Sequence, residues 1–221
     1  GAELDWTRSA LFSGRLEINK LTADEIEIAR KPISADAQVQ AESSNFSLPE
    51  LPVSVDIDQI EATRVILGET VVGVPVELTA TASAQLEDGA GEAELSVVRT
   101  DGSDGELSLT GSYSNVTRNL SLELSLSEGK GGLAATLIGL PGVAAVDLTV
   151  QGEGPIDEFT ADIELATDNQ PRLTGAVSVK SVPLPDETVA TGFQADLSGD
   201  VTSLFLPDYQ DFFGPDIRLN L

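Results

Sequence analysis

The stretch NLSLELSL, residues 119–126, places a leucine at every second position. Successive side chains of a β-strand point to opposite faces of the sheet. The alternation therefore predicts a strand with serine and glutamate on one face and a row of leucines on the other: Leu120, Leu122, Leu124 and Leu126. Such an apolar row needs something to cover it.

The same alternation recurs along nearly the whole chain. It appears in RLEINKL near the start, in PVELTATASAQLEDG and EAELSV further on, and in FTADIEL and RLTGAVSV towards the end. Gly, Pro, Asn and Asp separate these segments, which indicates roughly a dozen strands and several hairpins. Only short helices are predicted, near residues 132–139 and around Tyr209. The fold class is therefore all-β.

The apolar composition restricts how these rows can be covered. Hydrophobic residues make up 41% of the chain but aromatic residues only 5%. If two sheets packed as a β-sandwich, alanine-rich rows such as Ala80, Ala82 and Ala84 would leave a thin core. The alternative is one elongated, curved, mainly antiparallel sheet with short helical caps and an open, β-taco-like apolar groove. Such a groove requires an apolar guest. The residues alone leave both arrangements open.

The polar residues form no recognisable catalytic or metal site. Histidine and cysteine are absent, which removes the commonest general base, the commonest metal ligand and all thiol chemistry. Asp56 and Asp58 resemble a glycosidase acid pair, but 37 acidic residues produce such pairs by chance. TDGSDGE, residues 100–106, lacks the spacing of a calcium loop and predicts a turn. We expect no enzymatic activity, no cofactor and no metal.

The charge of the chain limits its partners. The formal net charge of −25 repels nucleic acid and anionic membrane surfaces, so nucleic acid is not an expected partner. The same charge keeps a protein with exposed apolar surface in solution.

The chain is expected to be a segment excised from a longer protein. It contains no methionine, even at position 1, and PDIRLNL stops in the middle of an alternating pattern. We predict one elongated unit over residues 1–221, with a subdivision near residues 48–52 as the alternative.

Several segments resemble the TamB family, the inner-membrane-anchored part of the bacterial translocation and assembly module. In residues 5–32, Asp-Trp leads into Gly-Arg-Leu-x-Ile and then Leu-x-Ala-x-x-Ile-x-Ile. LPVSVDIDQIEATRVILGETVVGVPVELTATASAQLEDG, GLPGVAAVDLTVQGEGPIDEFTADIEL and FQADLSGDVTSLFLPDYQDFFGPDIRLNL are similar to further units of that family. The resemblance covers nearly the whole chain and depends on repeated strand patterns rather than on one signature.

The resemblance implies a β-groove protein of the periplasm, related to AsmA-like and repeating-β-groove lipid-transfer proteins and anchored, at full length, in the bacterial inner membrane. It implies that the groove carries phospholipid acyl chains between the inner and outer membranes, serves outer-membrane protein assembly, or does both. A TamA-type outer-membrane barrel is the expected partner of the rest of the full-length protein. The competing function is adhesion by a surface or secreted β-solenoid or β-sandwich. We predict that thirteen side chains line the groove: Leu107, Leu109, Leu120, Leu122, Leu124, Leu126, Leu148, Val150, Phe159, Ile163, Leu165, Val177 and Val179.

Overall fold

The computed structural model describes residues 1–30, 46–137, 140, 143–183, 189–205, 208 and 217–220. Its thirteen strands form one large sheet, which is curved and open. The predicted all-β class with an open, curved sheet is therefore confirmed. The strands are β1 (Ala2–Trp6), β2 (Arg15–Ala23), β3 (Ile26–Ile28), β4 (Ser54–Leu67), β5 (Val76–Glu87), β6 (Ala90–Arg99), β7 (Gly105–Ser114), β8 (Asn119–Glu128), β9 (Val146–Pro155), β10 (Glu158–Thr167), β11 (Gln170–Pro183), β12 (Val189–Gly199) and β13 (Ile217–Asn220).

From β4 to β13, strands adjacent in sequence pair antiparallel and lie next to each other in the sheet. Tight turns explain two of these connections. Asp88 and Gly89, with φ of 48° and 71°, join β5 to β6, and Asp168 and Asn169, with φ of 49° and 59°, join β10 to β11. Two successive residues with positive φ are typical of hairpin turns that suit the twist of the flanking strands.

The N-terminal part of the sheet differs, because β2 and β3 both pair with β4 in the parallel direction. Parallel neighbours need a longer crossover connection than a hairpin turn. The sheet continues from β2 to β4 across the predicted subdivision near residues 48–52. The assignment of domains stays a prediction.

The helical segments are short. They are α1 (Glu69–Val72), α2 (Leu133–Leu137) and the 3₁₀ turns Arg8–Ser13 and Thr202–Leu204. α2 lies within the predicted helical stretch 132–139, whereas Tyr209 lies outside the described residues. In the described part of the chain, no helix combines the length and the apolar character needed to cross a membrane.

Few side chains are fully buried, because the described strands form one layer rather than two. None of the leucines in NLSLELSL belongs to the fully buried set. Within the described ranges the buried apolar residues are Ala10, Ala62, Val65, Val76, Tyr113, Ala135, Val146 and Ala161.

Candidate functional site

The apolar face of the sheet has a central row of aligned side chains. Leu109 lies opposite Leu124, which lies opposite Val150, and Val150 in turn lies opposite Ile163. At about 4.8 Å per strand, the ten steps between eleven strands extend the row over about 48 Å. The remaining members in register are Leu4, Leu21, Ile60, Ala82, Leu95, Gly175 and Leu197.

Parallel rows flank the central row. On one side, Leu107, Leu126, Leu148 and Leu165 are aligned across four strands. On the other side, Leu122 and Val177 belong to a second row that includes glycine and alanine, and Leu120, Phe159 and Val179 lie further towards the same strand ends. All thirteen residues predicted to line the groove thus lie on one face, and all are half-buried. That they contact lipid stays a prediction.

The opposite face of the sheet is polar. Glu123 and Ser125 alternate with the groove leucines and are exposed. Thr110 and Gln151 are the cross-strand neighbours of Glu123, and Ser108 and Thr149 are those of Ser125. The alternation predicted from the sequence therefore separates an apolar groove face from a solvated outer face.

One rim of the groove is covered by α2, and we call it the helix rim. The Glu128 carboxylate accepts hydrogen bonds from the backbone N–H of Leu133 at 3.0 Å and of Ala134 at 2.5 Å. These two N–H groups belong to the first turn of α2. The first turn of a helix has no intrahelical carbonyl acceptors for its N–H groups. A Cβ at Gly132 would lie 2.7 Å from the Glu128 side chain, so the close approach requires glycine. Glu128 thus fastens α2 to the end of β8.

The other rim, which we call the aromatic rim, is covered by residues 46–48. The Tyr113 hydroxyl donates to the Phe46 carbonyl at 3.0 Å, and the two rings meet edge to face with centroids 5.0 Å apart. The Asn115 side-chain amide accepts from the Leu48 N–H at 2.8 Å and donates to the Leu48 carbonyl at 2.9 Å. Both rims are therefore partly covered in the region of β6 to β8, and the central row remains open between them.

Beneath α2 lies a small apolar cavity of about 260 Å³. Its aliphatic walls come from β5 to β8 and from α2 itself. Arg99 and Glu128 also belong to its lining. The aliphatic residues are Leu78, Val97, Leu107, Leu126, Leu133 and Ala134.

Ion pairs reinforce the strand connections. Arg118 donates to both carboxylate oxygens of Asp157, at 2.7 and 2.8 Å, and these hydrogen bonds hold the pKa of Asp157 below its usual value. Arg64 donates to Glu77 and likewise lowers the pKa of that carboxyl. The side chains of these pairs are partly exposed to solvent.

The sequence patterns did not predict six contributors to the rims: Phe46, Leu48, Arg99, Tyr113, Asn115 and Glu128. For the two charged residues a signal existed, because the alternation Ala93, Leu95, Val97 continues to position 99, and that of NLSLELSL continues to position 128. For Phe46 and Leu48 no local signal existed, since their hydrogen-bond partners lie 67 residues away.

No group of three or more acidic, histidine or cysteine side chains in the described ranges could hold a metal ion. No known protein family, curated protein or solved structure matches the chain.

Proposed function

We propose that this chain is a periplasmic segment of a TamB-like protein whose groove holds phospholipid acyl chains on their way between the inner and outer membranes, a role that can also serve outer-membrane protein assembly. The observation that carries the proposal is the central row, in which Leu109, Leu124 and Val150 continue one apolar stripe from strand to strand. The TamB-like segments of the sequence support the same function.

The exposure of the groove supports an apolar guest. The lining leucines and valines are half-buried, and contiguous apolar patches of this extent are rare on soluble proteins unless they bind something. Burial of a methylene group contributes about 0.8 kcal/mol, so a chain of about sixteen carbons gains on the order of 10 kcal/mol. Burial of one acyl chain therefore provides enough free energy for binding in the groove.

The repetition of the rows supports movement along the groove. Each strand presents leucine, valine, isoleucine or a smaller apolar residue at the same level, so neighbouring positions offer an acyl chain similar free energies. A guest can then pass from one strand to the next without first having to dissociate from a tightly binding site. No specific polar ligand atom is needed for this transfer.

The competing proposal, adhesion by a β-solenoid or β-sandwich, depends on rows that pack on each other in a closed, dry core. The described sheet is open, and its rows are half-buried rather than enclosed. The open groove therefore favours lipid binding over adhesion.

The test is to purify the protein from bacteria without detergent, extract it with organic solvent and identify phospholipid by mass spectrometry. We expect phospholipid to co-purify in a fixed ratio to protein. A protein of similar size and acidity, purified in parallel, gives the background. Absence of phospholipid above that background, together with no binding of an apolar dye, would contradict the proposal.

A further inference from the structure

Arg99 places a cation on the apolar face of the sheet. Its backbone lies opposite Leu78, and it follows Leu95 and Val97 in the alternation. Only 8% of its side chain is exposed. The side chain passes over Gly105, where a Cβ would lie 2.6 Å from the Arg99 Cδ. Because Gly105 has no side chain, the Arg99 side chain has the space it needs at the helix rim.

The guanidinium of Arg99 is only partly satisfied. Nη2 and Nε donate to the Asp101 carboxylate at 2.8 and 3.3 Å. Nη1 is buried and has no hydrogen-bond partner among the residues that the structure describes. Buried polar groups are almost always paired, and a charged donor without a partner is costly. The helix rim therefore has one cationic N–H group, without a partner among the described residues, beside an apolar cavity.

The two rims of the groove differ in chemistry. The aromatic rim presents Phe46 and Tyr113, whereas the helix rim presents the guanidinium of Arg99 beside the Glu128 carboxylate, whose oxygens already accept from two α2 amides. Two other cations, Lys20 and Lys180, lie on the outer face, where they pair with Glu61 and Glu158, each at 2.9 Å. A guest with one anionic end and one apolar end matches this asymmetry.

We propose that the helix rim binds the anionic headgroup of an amphiphile, with Arg99 Nη1 donating to a headgroup oxygen and the tail lying along the strands towards the aromatic rim. The proposal rests on the groove function proposed above and adds the orientation and charge of the guest. Protein atoms cover Nη1, so the headgroup reaches it when the Arg99 side chain or α2 shifts.

The groove is wide enough, measured along the strands, to hold a single acyl chain in this orientation. Gly91, which lies opposite Tyr113, is eight positions before Arg99 on β6, and this corresponds to about 26 Å at about 3.3 Å per residue. The hydrocarbon core of a bilayer is about 30 Å thick, so the chains of one leaflet span about 15 Å. A tail anchored at Arg99 therefore ends before the aromatic rim.

The test compares two fluorescent probes with the same chain, dansyl-undecanoic acid and its methyl ester. We expect the wild-type protein to bind the acid about tenfold more tightly than the ester, because a hydrogen bond to a charged group is lost in the ester. In Arg99→Met, which keeps an apolar stem, the acid should bind only as well as the ester. Lys180→Met removes an outer-face cation and should leave both affinities unchanged.

The outcomes separate this proposal from the groove function. Equal binding of acid and ester by the wild type would overturn the headgroup site and leave the groove function in place. Binding of neither probe would overturn both. If inorganic phosphate alone displaced the acid but not the ester, the site would bind free anions rather than an amphiphile headgroup, and the proposal would be wrong. The wild-type comparison decides the question even if Arg99→Met does not fold.

Discussion

Leu124 on β8 lies directly opposite Val150 on β9, although residues 129–145 separate the two strands. A tight turn cannot impose this register, as it does for β5 and β6. A slip by one residue would turn every side chain of β9 to the other face. The apolar row itself therefore specifies the pairing, with α2 occupying the long connection. The continuity of the groove is thus built into the strand register.

The outer face should tolerate a change of charge. Glu123 is exposed on the same strand as Leu124 but points away from the groove. We expect Glu123→Lys to change the free energy of unfolding by less than about 0.5 kcal/mol, as surface substitutions usually do. Urea unfolding followed by circular dichroism measures the change. A severe loss of stability would mean that the two faces are assigned the wrong way round.

Glu128 should be required for α2. In Glu128→Gln, one acceptor oxygen becomes an amide donor that faces the N–H of Leu133 or Ala134. We expect a loss of about 1–3 kcal/mol, the cost of leaving a buried donor unpaired. Hydrogen exchange at these two amides should accelerate. Glu123→Gln, on the outer face of the same strand, is the matched control. Equal hydrogen exchange at the Leu133 and Ala134 amides in the two variants would argue against a role of Glu128 in fastening α2.

The Arg99–Asp101 pair should make stability depend on pH. Hydrogen bonds from Arg99 hold the pKa of Asp101 below its usual value. A carboxyl whose pKa is lowered by folding stabilises the protein above its unfolded pKa of about 3.9, and this stabilisation is lost as the pH falls through the folded pKa. Asp101→Asn should therefore cost on the order of 2 kcal/mol at neutral pH and much less in acid.

The measurement for Asp101→Asn is the urea midpoint of wild type and variant over a pH series from neutral to strongly acidic. Asp104→Asn, in the same connection between β6 and β7, is the control, since Asp104 makes no ion pair with the described residues. A difference between wild type and Asp101→Asn that persists unchanged in acid would show that the lost interaction is not ionic.

Local patterns were sufficient to predict most of the sheet. Alternation predicted the strand faces, so Leu107 and Val177 fall on the same face although they lie far apart in sequence. Asp88-Gly89 predicted its hairpin for the same local reason. The parallel pairing of β2 with β4 was not predicted, because a crossover leaves no periodic signal in the strands it joins.

The rims were harder to predict than the faces. Residues 46–48 reach the groove through contacts with Tyr113 and Asn115, and nothing local in the sequence encodes that approach. Arg99 and Glu128 continue an apolar alternation with a charged residue, which suggests the end of a strand face rather than a buried charge. Burial of a charge depends on non-local covers such as α2 and on the space left by Gly105.

The groove function makes its sharpest prediction at Leu124, near the middle of the central row. In Leu124→Arg the long side chain can extend its guanidinium to solvent at the open groove, so folding should largely survive. Lipid content should fall, because an acyl chain would have to share the groove with a charge. In a closed core, the same buried and unpaired charge would cost several kcal/mol and unfold the protein. Thermal unfolding and mass spectrometry of extracted phospholipid, made on the same preparation, measure both effects.

Ser125→Arg is the matched control for Leu124→Arg, because it introduces the same side chain at the next residue on the exposed outer face. This control should keep both its fold and its phospholipid. Unfolding of Leu124→Arg alone would favour a packed apolar core, and a folded Leu124→Arg with undiminished phospholipid would exclude Leu124 from the lipid path. Since the two variants carry the same added charge, a folded Leu124→Arg with depleted lipid beside an unaffected Ser125→Arg can arise only from the face on which the charge lies. That combination is the one expected of an open groove filled by acyl chains.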